Sequence, residues 1–289
     1  MTRKFHTFQE RWHKCLLLLC AAPLLLASCQ KKAETERRTI FVSIEPLRFF
    51  AERIADGHFE VSSIVPENYN PESYKPTTKQ LVALDGCAAF LKVGQLGFEK
   101  TWLENVRKEN TGMQIVDTSD SLRIAPTQSF DPHTWTSPEN AAAISRCICA
   151  TLCQLDSLHA TLYKNNLEKL LEEIRQTDTE VRKILANIPS RTFITIHPSL
   201  TCFAGAYNLT QLSIEKEGKE PTPKELQELI ARSREHGPYP ILVQKQFSKN
   251  QAEIIQKETC ARMVSINPLG YNWSEEMKNI AKALADGRK

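Results

Sequence analysis

What this sequence lacks narrows its function first. No basic stripe interleaved with aromatic residues runs through its 289 residues, so no nucleic-acid partner is expected. An excess of charge is also missing. The formal net charge is +3, but residues 1–28 hold four basic residues and one acid, leaving 33 of each sign beyond them. Past residue 28, no segment is long and apolar enough to cross a bilayer. The His-Glu-x-x-His helix of metal hydrolases is absent, and no short internal repeat is visible. Cys87, Cys147, Cys149, Cys153, Cys202 and Cys260 show no small-scaffold disulfide spacing. Cys147, Cys149 and Cys153 share one expected helix without histidines at useful spacing. They therefore read as small buried hydrophobes before they read as a soft-metal site.

What is present begins with an export signal. Arg3, Lys4, Arg11 and Lys14 precede an apolar run from Cys15 to Ala27, too short to span a membrane comfortably. The run ends in Leu26-Ala27-Ser28-Cys29, which resembles a bacterial lipobox, and so implies cleavage before Cys29 and lipidation of that thiol. The alternative is a short uncleaved anchor helix. Residues 1–28 are thus expected to be a signal peptide and 29–38 a polar tether. Removing 28 of the 289 residues leaves 261, enough for one domain or two lobes.

Residues 157–189 organise the rest. Leu162, Leu167, Leu170, Leu171, Ile174, Val181, Ile184, Leu185 and Ile188 fall at three-and-four spacing, with charged residues on the opposite face. Asp156 or Ser157 can cap the start, and Pro189 stops the end. Such a helix would be roughly 45 Å long, more than one small lobe needs. Strand and helix signals alternate on both sides of it. Thr77-Thr78-Lys79-Gln80 and Thr222-Pro223-Lys224-Glu225 read as capping boxes, and Ser137-Pro138 as a helix start. A further helix is expected over 98–109. The pattern predicts an α/β chain of two lobes, 39–156 and 190–289, each a parallel sheet flanked by helices, joined by one long rigid helix.

Ligands of open α/β sheets sit beyond the carboxyl ends of the strands. Four possible metal ligands fall there, two from each half: Glu72, His133, His197 and Asn267. Imidazole with carboxylate suits zinc, manganese or iron, whereas calcium and magnesium prefer oxygen shells.

At these loops the sequence resembles the zinc and manganese solute-binding proteins of bacterial ABC importers, from about Ile40 to Leu284. The stretches that carry the likeness are Asn70-Pro71-Glu72-Ser73-Tyr74-Lys75-Pro76-Thr77, Asp131-Pro132-His133-Thr134-Trp135, Thr195-Ile196-His197-Pro198 and Asn267-Pro268-Leu269. The family carries histidine where Glu72 stands and aspartate where Asn267 stands. Each set supplies one anion, so this shell stays chemically credible with its charge moved to the other lobe. Asn267 is the weaker ligand for zinc, and Gln244 or a water is an alternative in its place. His197 leans toward zinc within the family. The lack of histidine between Thr118 and Phe130 leans the other way, so zinc stands first and manganese or iron second.

The resemblance implies a lipid-anchored, monomeric binding protein of the cell envelope, periplasmic or on the cell surface. It would deliver its cation to an ABC permease in the membrane and would not be an enzyme. Two other classes remain at this point. One is a surface adhesin or a diverged relative that no longer binds metal. The other is a hydrolase with two histidines, one glutamate and an open position for water. Trp135 and Tyr74 are expected to pack behind the loops, and His58, His159 and His236 to lie on the surface. The 215–220 charge run reads as a solvated loop.

Overall fold

The structure is a computed structural model and describes residues 38–103, 106, 113–122, 131–215 and 219–286. The expected signal, Cys29 and tether residues 30–37 lie outside the described residues, while Arg38, expected in the tether, opens the first strand. Also outside are residues 123–130 of the loop before Asp131 and residues 104, 105 and 107–109 of the helix expected over 98–109, whose stretch Glu99–Leu103 winds as a π-helix.

Short β-rich runs form two four-stranded sheets. β1 (Arg38–Ile44), β2 (Phe59–Val65), β3 (Ala89–Lys92) and β4 (Gln114–Asp117) stand in the order β2-β1-β3-β4. β5 (Thr192–Thr195), β6 (Thr210–Ser213), β7 (Ile241–Gln244) and β8 (Met263–Ile266) repeat that arrangement as β6-β5-β7-β8. All pairings are parallel, with Ile40 opposite both Val61 and Ala89, and Ile194 opposite Ile241. Each sheet therefore reverses its strand order once, between β1 and β3 and between β5 and β7. That is where open α/β sheets leave a crevice.

The helices start and stop where the local chemistry says. α1 (Glu45–Ala55) opens on Pro46 and closes on Asp56 in the left-handed region. α2 (Thr78–Leu84) carries the capping box from Thr77 to Gln80. α3 (Pro138–Leu155) has Ser137 as its cap, its hydroxyl accepting from the Asn140 N–H. α5 (Thr201–Ala206), α7 (Asn250–Thr259) and α8 (Trp273–Ala285) flank the second sheet with α6 (Pro223–Glu235), whose box joins Thr222 to Glu225.

The long helix α4 runs Ala160–Ile184, 25 residues or about 38 Å. It is shorter than the apolar spacing suggested, because 157–159 and 185–187 tighten into single 3₁₀ turns. Neither Asp156 nor Ser157 caps it. The Asp156 carboxylate accepts from His159 and Tyr163 instead.

One apolar core runs from the first sheet through α4 to α8, and a smaller one lies under the second sheet. Trp135 and Trp273, both fully buried, sew the halves together. The Trp135 indole N–H donates to the Pro268 carbonyl at 2.8 Å, and that of Trp273 donates to the Trp135 carbonyl at 2.7 Å. Each aromatic contributes roughly 1.5–3 kcal/mol by burial alone. The six cysteines are all unpaired thiols. Among the described residues, none joins a cluster with metal-binding geometry.

Candidate metal centre

The loops that leave the strands of both sheets meet around one small cavity. Glu72 arrives on the segment after β2, His133 after β4, His197 after β5, and Gln244 at the end of β7. The space between them is about 10 Å³, close to one water-sized sphere, which is room for an ion.

One ligand atom from each of Glu72, His133 and His197 lies within 4.8 Å of the other two. His133 and His197 are 5 % and 8 % exposed, and their rings stand 5.1 Å apart at 73°. Each imidazole is held by its Nδ1. That of His133 lies 2.7 Å from Asp131 Oδ1, which also accepts the His133 backbone N–H at 2.9 Å. That of His197 lies 3.2 Å from Glu215 Oε2, and Phe247 stacks on the ring at 4.8 Å. With Nδ1–H donated to a carboxylate, each ring keeps its bare Nε2 lone pair for another partner, and that of His197 is buried with none. This is the carboxylate–histidine arrangement that orients metal ligands.

The protonation states fit. Burial pushes the His197 imidazole down to about 4; His133 adds to the shift and Asp131 opposes it. His197 is therefore neutral at ordinary pH. The Asp131 carboxyl feels burial in the opposite sense, yet the His133 hydrogen bonds hold it below the usual carboxylate range. Burial, with Glu220 nearby, raises Glu215.

Glu72 is steered by its neighbour across the first sheet's crevice. Its Oε2 accepts the Gly97 N–H at 2.9 Å. The loop carrying Gly97 is itself gathered by the buried Glu99 carboxylate, which accepts from the N–H groups of Val93, Gly94 and Leu96 and from the Ser43 hydroxyl. Glu72 Oε1, His197 Nε2 and Gln244 Oε1 are buried without a hydrogen-bond partner. Buried polar atoms are normally satisfied, so three orphans around one ion-sized space mark a site built for a guest.

Of the four residues singled out from sequence, the structure brings Glu72, His133 and His197 together. Asn267 is buried beside them, but its Oδ1 already accepts from the Gln246 amide at 2.8 Å. Gln244 donates to the His197 carbonyl at 2.7 Å and the Ser199 hydroxyl at 2.6 Å, which turns its own oxygen away from both. Trp135 is buried as expected, yet it also lines the cavity. Tyr74 is half-buried and donates to Gln80. Sequence reading missed Asp131 and Glu215. Asp131 was signalled by standing two residues before His133. Glu215 was hidden in a charge run, although it follows the strand that pairs with β5.

Two parallel sheets that present their carboxyl ends to one ion-sized cleft, lined by two imidazoles and a carboxylate, define a two-lobed α/β metal-binding protein. The chain belongs to the family of ZnuA, the periplasmic zinc-uptake complex component A, whose model matches residues 40–287. That family is a metal-uptake component and not an enzyme, so the hydrolase reading falls. A crystal structure of ZnuA is 35% identical with a TM-score of 0.82, covering 87% of this chain and 99% of the other. A "putative metal-binding protein" of Chlamydia trachomatis is 25% identical over 253 residues, 86% of this chain and 91% of its own length. The "high-affinity zinc uptake system protein ZnuA" of Bacillus subtilis is 21% identical over 293 residues, 92% of this chain and 91% of its own.

Proposed function

We propose that this chain captures a zinc ion between its two halves, on Glu72 Oε1, His133 Nε2 and His197 Nε2, and hands it to an ABC permease. The observation that carries the reading is that Glu72, His133 and His197 each bring a ligand atom within 4.8 Å of the other two, while Glu72 Oε1 and His197 Nε2 are buried without a partner. Two imidazoles and a carboxylate suit a borderline cation, and zinc takes a tetrahedral shell of this kind. The fourth position goes to Gln244 Oε1 or to a water in preference to Asn267, whose carbonyl oxygen is engaged. Manganese, which favours more oxygen ligands, and iron, which also takes two histidines and a carboxylate but with further open positions, are second choices. Export and anchoring through Cys29, and a monomeric form in the cell envelope, complete the proposal. Two features support them: the Leu26-Ala27-Ser28-Cys29 stretch and the periplasmic assignment of the family.

Elemental analysis and chelator competition at neutral pH test the site. The chain should hold one zinc in the cleft. His133→Ala and His197→Ala should each weaken it by roughly 100-fold or more, beyond the 10–100-fold lost with an orienting group. Undiminished affinity in both variants would remove the imidazoles from the shell.

A further inference from the structure

We propose that His58, Asp156 and His159 form a second, surface-facing site for a borderline divalent cation such as Zn²⁺, Cu²⁺ or Ni²⁺. Each residue offers one ligand atom, and the three atoms lie within 4.8 Å of one another. The set matches the cleft in chemistry: two imidazoles and one carboxylate.

The positions are fixed by the backbone. Asp56 and Gly57 both adopt positive φ, 50° and 78°, and the His58 N–H returns to the Ala55 carbonyl at 3.0 Å. That tight turn sets His58 immediately before β2. On the other side, α3 ends at Leu155 with Asp156 as its C-cap, and one 3₁₀ turn carries the chain through His159 into α4. A site on such elements is better defined than one on a free loop.

The side chains are already arranged for a ligand. His159 Nδ1 lies 2.7 Å from Asp156 Oδ2, and a cation would take the place of the proton between them, bonded to both atoms. Tyr163 donates to the same carboxylate oxygen at 2.7 Å and holds it in place. The His58 and His159 rings stand 4.0 Å apart at 38°. Their ligand atoms, within 4.8 Å of each other and of the Asp156 oxygen, would close on one ion at Zn–N distances of roughly 2.0–2.1 Å. A shared cation would replace mere ring contact with two bonds. Arg38, whose guanidinium holds the Leu155 carbonyl beside Asp156, makes this the weaker of the two sites.

The two sites are independent. His58 precedes the amino end of β2, and Glu72 follows its carboxyl end. The strand itself is seven residues, roughly 23 Å from end to end, so the two sites lie at opposite ends of the first sheet.

The test uses Zn²⁺ alone on the metal-free chain. Equilibrium dialysis of the His133→Ala, His197→Ala variant should retain one equivalent, and adding His58→Gln and His159→Gln should abolish it. In the unaltered chain, the His58 and His159 ring resonances should move with the second equivalent and not the first. No retained equivalent, an equivalent that survives the glutamines, or unmoved resonances would each overturn the proposal. Failure of the cleft reading would show separately, as a first equivalent that leaves His133 and His197 undisturbed.

Discussion

A single methyl group at Gly97 tests whether Glu72 is held for a metal. A Cβ built there would lie 2.3 Å from the Glu72 carbonyl oxygen and 2.9 Å from Glu72 Oε2. The first of these is backbone and cannot swing aside. Glu72 must therefore retreat by about 1 Å to restore ordinary van der Waals contact near 3.4 Å. The retreat also breaks the Gly97 N–H bond to its carboxylate, 2.9 Å in the native chain. A hydrogen bond to a charged group is worth about 1.5–3 kcal/mol, a factor of roughly 10 to 100 in binding. Gly97→Ala should weaken zinc by that factor in a chelator competition at neutral pH. Gly205→Ala is the control. It sits in α5 with open space around its Cβ, so it should leave zinc affinity alone and stabilise slightly. A Gly97→Ala protein that binds zinc like the native one would refute the placement of Glu72 in the shell.

Three further outcomes follow from the same geometry. His197 titrates near 4 when folded and near 6.5 when unfolded, so the unfolded chain binds the extra proton between those values. The His197 contribution to the stability of the metal-free chain should thus be constant above pH 6.5. Below it that contribution should fall by up to about 3 kcal/mol by pH 4. Urea unfolding of native and His197→Leu chains at pH 7.5 and 5 checks this, and equal pH responses would contradict it. Trp135→Phe deletes the donor to Pro268 and should cost about 1–3 kcal/mol in denaturant unfolding. Gln244→Leu should weaken zinc more than Asn267→Ala in the same competition assay, and the reverse order would give the fourth place to Asn267.

The fold was legible where a local signal and its structural cause share a few residues. The capping boxes at Thr77 and Thr222 formed as written, because a hydroxyl and a glutamine or glutamate three residues on satisfy each other's backbone. Alternating strands and helices implied parallel sheets, and both sheets are parallel. What local pattern does not carry is which strand lies beside which. Glu215 looked like one acid among several, and only the pairing of β5 with β6 puts it against His197. His58 and His159 read as separate surface residues, being far apart in the chain. They meet because α4 packs against α1. The ends of α4 were overrun for a different reason: a single 3₁₀ turn keeps an apolar residue such as Leu185 buried, so the spacing alone does not show the change.

The reciprocal tryptophan bonds between the halves bear on how the cargo departs. Rocking the lobes apart would strand two indole donors in a dry interior, at roughly 1–3 kcal/mol each before any packing is lost. The segment bearing Glu72 is latched across the gap by the Gln246 amide, which spans from the Glu67 carbonyl to Asn267. Unlatching that one side chain is the cheaper movement, so under the proposed function the Glu72 carboxylate would leave the ion before either imidazole does.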